Sequence, residues 1–414
     1  MLVTAPGCPV TESVDWLQQD FLVDPYPKFA ELRAESPVFY DEELGSYIVT
    51  RYADVEQCLV DRTTFLAQGA SSPVWPPIPE AQQVLTEHGS KRVPTLNNAD
   101  PPRHGPMRKA VFTCMSRARL AALEPELRDY ATGLVTALVA KPVSDLVTDL
   151  TFPLPGRAGL GLLGLPREDF GQIKEWSAGR VLLTYGHLAA DEQVQVAKNV
   201  IAFWQYIENY VNQRNQDRGD DFTSDVLRYH DEHPDEVTID DIVNIVFAMA
   251  LAGHDSTTNA LGNMLRHLLA HEDQWRALVD DRSLIPNAVE ESLRFDGPVA
   301  GHRRTVAFDT ELGGVPLPAG AKLVLLFASA DRDGAHFAEP DRLDVRRDNA
   351  ADHLSFGKGV HFCLGAPLAR LEMRIALELL TEHAPGMHLV PEQAFPYVPI
   401  TMFRSLEHLL VEPR

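Results

Sequence analysis

From about residue 103 to 290, apolar side chains recur at the three- and four-residue spacing that lines one face of a helix, which predicts an almost wholly helical stretch. The longest pattern runs from about Thr238 to Ala270. Thr238 fits an N-cap with Asp241 as its reciprocal partner, and the NIVFAMALAG that follows is apolar on every side, as a buried helix is. A polar block interrupts it: His254-Asp255-Ser256-Thr257-Thr258-Asn259. Polar groups inside a buried helix cost stability unless hydrogen-bonded, so the block points to function. Upstream, residues 24–60 read as a helix, a short β-hairpin and another helix. Residues 69–99, with Pro73, Pro76, Pro77 and Pro79, read as a long irregular stretch. Strand patterns return near 298–327, clearest in VPLPAGAKLVLLF, and LARLEMRIALELL is apolar at Leu368, Leu371, Ile375 and Leu379, a last helix. No repeat or low-complexity linker marks a seam. The pattern is mainly α with small β-sheets, a single domain over residues 1–414.

Composition narrows the function classes. Acidic residues outnumber basic ones 59 to 37, a net charge of −22, which argues against broad nucleic-acid or anionic-membrane binding. No apolar run is long enough to span a bilayer, and the N-terminal MLVTAPGCPVTESVDW lacks the pattern of a secretory signal. Cys8, Cys58, Cys114 and Cys363 are far apart and share no metal-ligand spacing, so a reducing, cytoplasmic setting is expected. Gly159, Gly161 and Gly164 fit the dinucleotide pattern G-x-G-x-x-G. Pro153 and Pro155 spoil the strand it needs and Pro166 the helix, so a small-residue packing face is expected instead.

Cys363 lies in the run Phe356-Gly357-Lys358-Gly359-Val360-His361-Phe362-Cys363-Leu364-Gly365-Ala366-Pro367, a glycine-rich turn that opens a helix. Free N–H groups and the positive end of the helix dipole are expected to lower its thiol pKa. Gly359 and Gly365 lack side chains and let a flat macrocycle approach, and Phe356 shields the sulfur from water. A lone cysteine is ordinarily an inert core residue. The pattern around this one outweighs that reading, because it resembles the haem-binding signature of cytochromes P450, F-G-x-G-x-H-x-C-x-G, at every specified position.

Three further segments carry the same resemblance. His104 and Arg108, four apart on a helix, match the family's first propionate-binding pair, and Arg304 the second such position. Ala252-Gly253-His254-Asp255-Ser256-Thr257 is similar to the oxygen-activation motif A-G-x-[D/E]-T-[T/S]. It departs by having Ser256 at the usual Thr, which keeps the hydroxyl but loses χ1 stiffness; Thr257 is a second candidate for that role. Glu291 and Arg294 match the E-x-x-R pair, structural rather than catalytic, which anchors to residues 341–347. In finer detail, TYGHLAADEQVQVAKNVIAFWQY, SLIPNAVEESLR and MHLVPEQAFPYVP resemble the haem domain of bacterial self-sufficient monooxygenases that carry a flavin and iron–sulfur reductase. Only 51 residues follow Cys363, so a stand-alone relative or a separated haem domain is expected.

The resemblance implies the cytochrome P450 fold and haem b (iron protoporphyrin IX), with Cys363 as metal ligand and His104, Arg108, Ala252, Arg304, Phe356, His361 and Gly365 around the cofactor. His353 flanks the loop as a further propionate candidate. The activity implied is monooxygenation of a small or medium hydrophobic substrate, aromatic ones included. Asp255, Ser256 and Thr257 handle protons, and electrons come from NAD(P)H through a ferredoxin and its reductase or a flavin/iron–sulfur reductase. A peroxide-driven peroxygenase and a non-enzymatic haem sensor are the competing readings. The first typically has Arg-Pro at the acid–alcohol pair, and the second has no use for the polar block. Pocket walls are expected from the 73–97 loop and Val181–Tyr185 with Leu182, and from Ala248, Ala252, Val299, Ala300, Ile400 and Met402, with no charged anchor for the ligand. Lys358, Arg370, Arg374, Arg103 and Lys109 are expected to form a local basic face for an acidic redox partner.

Overall fold

The computed structural model describes residues 14–87 and 94–414, and more than half of the chain is helical. Near the N-terminus, helix α1 (Tyr26–Glu35), strands β1 (Val38–Asp41) and β2 (Ser46–Val49) and helix α2 (Tyr52–Val60) follow in the expected order. Strands β3 (Phe65–Leu66), β4 (His302–Val306) and β5 (Lys322–Leu325) complete a sheet ordered β1-β2-β5-β4-β3. β2 and β5 run parallel, with Ile48 opposite Val324; the other neighbours are antiparallel. The alternating side chains of these strands feed two apolar clusters, one on each face.

The remaining bulk is helical around one large apolar cluster that reaches from Leu22 to Val411. The irregular stretch 69–99 contains a helix the sequence pattern missed, α3 (Pro79–Glu87). Its opening proline reads as a breaker in a Pro-rich run, yet proline is well suited to a first helical turn, where its missing N–H costs nothing. Helices α4 (His104–Cys114), α5 (Arg117–Val139), α6 (Phe170–Tyr185) and α7 (Ala190–Gln216) precede α8 (Ile239–Ala270), and α6 and α7 pack against it. At the start of α8 the Thr238 hydroxyl accepts from the Asp241 N–H (3.2 Å) and the Asp241 carboxylate accepts from the Thr238 N–H (3.0 Å), a complete capping box. Helix α9 (Ile285–Asp296) and helix α10 (Ala366–His383) pack against α8 and each other. Residues 153–161 are helical, and a Cβ on Gly159 would stand 2.3 Å from the Gly253 carbonyl oxygen, so the G-x-G-x-x-G run is a packing face beside the polar block of α8.

Candidate active site

The chain before α10 folds back so that the Gly357 N–H donates to the Leu354 carbonyl (2.7 Å) and the Cys363 N–H to the Phe356 carbonyl (2.9 Å). Gly357 and Gly359 sit at φ +67° and +70°, left-handed backbone that glycine enters without penalty. A Cβ on Gly359 would stand 2.8 Å from the Leu59 carbonyl oxygen of α2, so this glycine serves the turn and its packing on α2 rather than the approach of a macrocycle. Gly365 does face the same cavity as the Cys363 sulfur. The Gly365 and Ala366 N–H groups bond that sulfur, and Arg108 and Arg370 favour its anion, but burial outweighs them and pushes the thiol up. The lowering expected from the helix end is therefore present but smaller than the desolvation cost. A bound metal ion deprotonates a coordinating thiol outright.

Cys363 opens onto a cavity of about 500 Å³ whose wall also carries Phe356, His361, Arg108 and Arg304, and from α8 Ala248, Ala252, Asp255 and Ser256. His104 lies behind that wall, its ring 4.2 Å from the His361 ring, with Nε2 buried and unpartnered. His361 Nδ1 is 3.0 Å from the Leu96 carbonyl, and burial, with His104 and Arg304 nearby, brings its pKa down to about 4. Arg108 donates to the Phe362 carbonyl (2.8 Å) and Arg304 to the Arg303 carbonyl (2.8 Å), and neither guanidinium has a carboxylate partner among the described residues. The set fits haem: a sulfur already receiving two N–H groups, and two cations and an orphaned imidazole nitrogen for the macrocycle's acid groups. Phe356 lies under Arg370, whose guanidinium carbon is 4.6 Å from the ring centre.

On α8, Asp255 Oδ2 accepts from the Ser177 hydroxyl of α6 (2.6 Å), and Oδ1 lies 3.1 Å from Nε2 of the fully buried His254, a close contact not aligned as a hydrogen bond. Burial pushes the Asp255 carboxyl up, but His254, the Ser177 bond and Lys174 outweigh it and hold it below the usual range. Lys174 is buried, donates to the Phe152 carbonyl (2.8 Å), and is brought down to about 8 by desolvation. It senses a second carboxyl, Glu372 of α10, which is wholly buried with neither oxygen hydrogen-bonded and is pushed well above its ordinary range. Ser256 donates to the Ala252 carbonyl (3.0 Å) at the cavity wall, whereas Thr257 is buried away from it.

Several expected wall residues are elsewhere. Leu182, Ala300, Ile400 and Met402 do not line the cavity; Ala300 and Met402 belong to the core on one face of the sheet. Of the expected residues, Val181, Thr184, Tyr185 and Val299 do line it, and Gly301 and Phe403 join them. Consecutive strand-like residues point to opposite sides, so a guess one residue out of register selects the buried side. The sequence reading also missed Ser177, Lys174, Glu372 and Arg180, a charged residue in the wall where no charged anchor was expected. Their isolated polar character inside apolar helices was the available signal. His353 is off the wall, buried with Nε2 3.2 Å from Glu290. Glu291 and Arg294 form a fully buried two-bond pair (2.7 and 2.8 Å); Arg347 and the Asp344 N–H also reach Glu291. The expected basic face is neutralised. Lys358 pairs with Glu56, Arg103 with Asp241, Lys109 with Glu236 (3.0 Å), Arg370 with Glu290 (2.6 Å) and Arg374 with Glu124 (2.9 Å). Cys8 lies outside the described residues.

Comparison with known proteins agrees with this geometry. The family model for cytochrome P450 matches residues 188–383. The chain is 34% identical to the cytochrome P450 monooxygenase PikC of Streptomyces venezuelae, over 96% of this chain and 93% of that protein. Among solved structures it resembles the cytochrome P450 CREJ in complex with (4-ethylphenyl) dihydrogen phosphate, with a TM-score of 0.92 at 35% identity over 94% of this chain and 97% of that one. It also resembles an intact type IV self-sufficient cytochrome P450 monooxygenase, with a TM-score of 0.94 at 40% identity. Aligned over 99% of its own length, it spans 54% of that larger chain. No helix among the described residues is long and apolar enough to cross a membrane. With the cysteine loop, the polar turn of α8 and relatives that match along nearly its whole length, the chain belongs to the cytochrome P450 monooxygenase family, whose members bind haem.

Proposed function

We propose that residues 1–414 act as one haem domain that inserts an oxygen atom of O2 into a small or medium hydrophobic molecule, aromatic ones included, by hydroxylation or oxidative dealkylation. Electrons come from NAD(P)H through a ferredoxin with its reductase or a flavin/iron–sulfur reductase. One observation carries this reading: a single cavity bears the Cys363 sulfur and, from α8, the Asp255–Ser256 acid–alcohol pair. When bound, haem supplies the oxygen chemistry, which consumes two electrons and two protons. Cys363 holds the iron. Arg108, Arg304 and His361, with His104 behind them, would hold the acid groups of the macrocycle, Ala252 and Gly365 line the cavity that would receive it, and Phe356 would keep water from the sulfur.

Asp255 and Ser256 deliver protons to the cavity, with Ser256 rather than Thr257 as the hydroxyl because Ser256 is on the wall. His254 and the Ser177 bond, with a smaller contribution from Lys174, hold the Asp255 carboxyl below its usual range, and Lys174 also senses Glu372, whose carboxyl is pushed well up by burial. The apolar side chains of Val181, Ala248, Val299 and Phe403 suit a hydrocarbon body. The ligand of the CREJ structure supports an aromatic substrate, and the likeness to a self-sufficient monooxygenase supports the electron route.

Spectra and turnover test the reading together. The reduced, CO-treated protein should show the strongly red-shifted Soret band of thiolate ligation, and Cys363→His should abolish it. A globin-like band in the unaltered protein sinks the proposal. Product formation should need NAD(P)H and a redox partner; turnover with peroxide alone and none with NAD(P)H would make the chain a peroxygenase.

A further inference from the structure

The cavity wall holds a cation that the reading above does not use. Arg180 projects from α6 into the wall and donates through Nη2 to the Ser71 carbonyl (3.2 Å). A guanidinium has five N–H donors in a rigid fork, so most of its capacity is free. Among the described residues no carboxylate pairs with it. The other charged side chains of the wall are accounted for: Asp255 is bonded to Ser177, Lys358 is paired with Glu56, and Arg108 and Arg304 lie beside the cysteine loop. Arg303 alternates to the opposite side of β4 from Arg304, where it donates to the Ala70 carbonyl (3.3 Å) and leaves Nε buried and unpartnered. That places a second cation close enough to repel Arg180, with its guanidinium carbon 5.9 Å from the centre of the Tyr185 ring. Two neighbouring cations, one buried and one partly buried, without a counter-ion are costly, and a bound anion lowers that cost. Holding the 71–73 segment explains one hydrogen bond but not the open fork.

We propose that Arg180 is an anion subsite: with Ser71, Asn97 and Tyr185 beside it in the wall, it takes the oxyanion head, a carboxylate or a phosphate monoester, of a substrate whose apolar body lies along Val181, Ala248, Val299 and Phe403. The proposal rests on the monooxygenase reading of the cavity. Arg180 is a binding residue that orients the substrate; it takes no part in the oxygen chemistry. Two-point holding by the planar fork fixes both the depth and the rotation of the head, so the position of the reacting carbon follows from the length of the body.

The test is equilibrium binding to the haem-loaded protein, read by the spin-state change of the haem and by calorimetry. The ligands are matched pairs: 4-alkylbenzoates against their methyl esters, and 4-alkylphenyl phosphates against the parent phenols. At least one acid series should bind more than about tenfold tighter than its neutral partners, as a charge-assisted two-bond contact implies. Which series does so identifies the head as carboxylate or phosphate. Arg180→Gln removes the charge and the fork and leaves a shorter, polar side chain; it should remove the advantage of the acid and leave the neutral partners within about twofold. Arg180→Lys should restore part of it. Neutral partners that bind as tightly as both acid series, or an acid advantage that survives Arg180→Gln, overturn the subsite. In that event an intact red-shifted CO band and NAD(P)H-driven turnover of a neutral ligand leave the monooxygenase reading standing, whereas loss of that band in the unaltered protein fails the reading itself.

Discussion

Asp255 is deep in the protein, yet its carboxyl is held below the ordinary range, because His254, Ser177 and Lys174 together outweigh desolvation. A proton donor that is recharged between turnovers must be able to lose its proton, and those neighbours ensure it. Asp255→Asn should slow NAD(P)H-driven product formation by more than about tenfold, at least about 1.4 kcal/mol in the barrier, while the CO spectrum persists. Unchanged turnover would remove Asp255 from the proton path. Ser256→Ala should let hydrogen peroxide escape while NAD(P)H is still consumed. Lys174 gives a pH signature. Its folded pKa of about 8 lies below the ordinary value of 10.5, so between those limits the unfolded chain holds a proton that the folded chain has released. Unfolding then takes up a proton, and stability should rise as pH goes from about 8 toward 10.5 and be lost again on the way down. Thermal melts of wild type and Lys174→Met across that window check it: the wild type should gain on the variant as pH rises, and parallel curves would contradict the assignment.

At the scale of elements, the polar turn of α8 is where it is because two helices meet backbone to backbone. The chain at Gly159 reaches the Gly253 carbonyl closely enough that no Cβ fits, next to His254 and Asp255. Gly161, two residues on, faces open space with ordinary helical dihedrals. The two glycines should therefore respond oppositely to alanine. Gly159→Ala should cost about 1–3 kcal/mol through overpacking, and it should also slow turnover by shifting Asp255. Gly161→Ala should be neutral or stabilise by up to about 1 kcal/mol, since alanine is the better helix former. Denaturant titrations of the two variants decide the matter, and equal destabilisation would refute the close-approach account.

For the whole molecule, charge is the dominant long-range property. The chain carries −22, and the five cations near the cysteine loop and α4 are each engaged by a carboxylate. Exposed pairs of this kind contribute little to stability but cancel the local field that would attract an acidic iron–sulfur partner. Raising ionic strength shortens the screening length from about 30 Å at 0.01 M to about 10 Å at 0.1 M. Activity at limiting concentrations of an acidic external partner should therefore rise over that range as mutual repulsion is screened. A steady fall with salt would mean that a basic docking patch persists despite the ion pairs. Peroxide-driven turnover, which needs no partner, should not change.

The sequence by itself determined the helices with strong periodicity, the cap at Thr238, the hairpin near the N-terminus and the cysteine loop, because each is encoded within a few turns of chain. It also carried the family, through short motifs whose order is fixed. Only the tertiary structure decided which polar residues meet. Ser177 and Lys174 come to Asp255 from a helix some 80 residues away, Glu372 from one more than 100 away, and Arg180 reaches the cavity beside Ser71 and Arg303. It likewise decided that Ala300 and Met402 turn into the protein while Val299, Gly301 and Phe403 face the cavity, and that the basic residues near the cysteine are paired. Periodicity states that a residue is on a face but not what covers that face. The balance of burial, charge and hydrogen bonding that sets Asp255, Lys174 and Cys363 depends on groups brought together by packing, and no local pattern in the chain contains them.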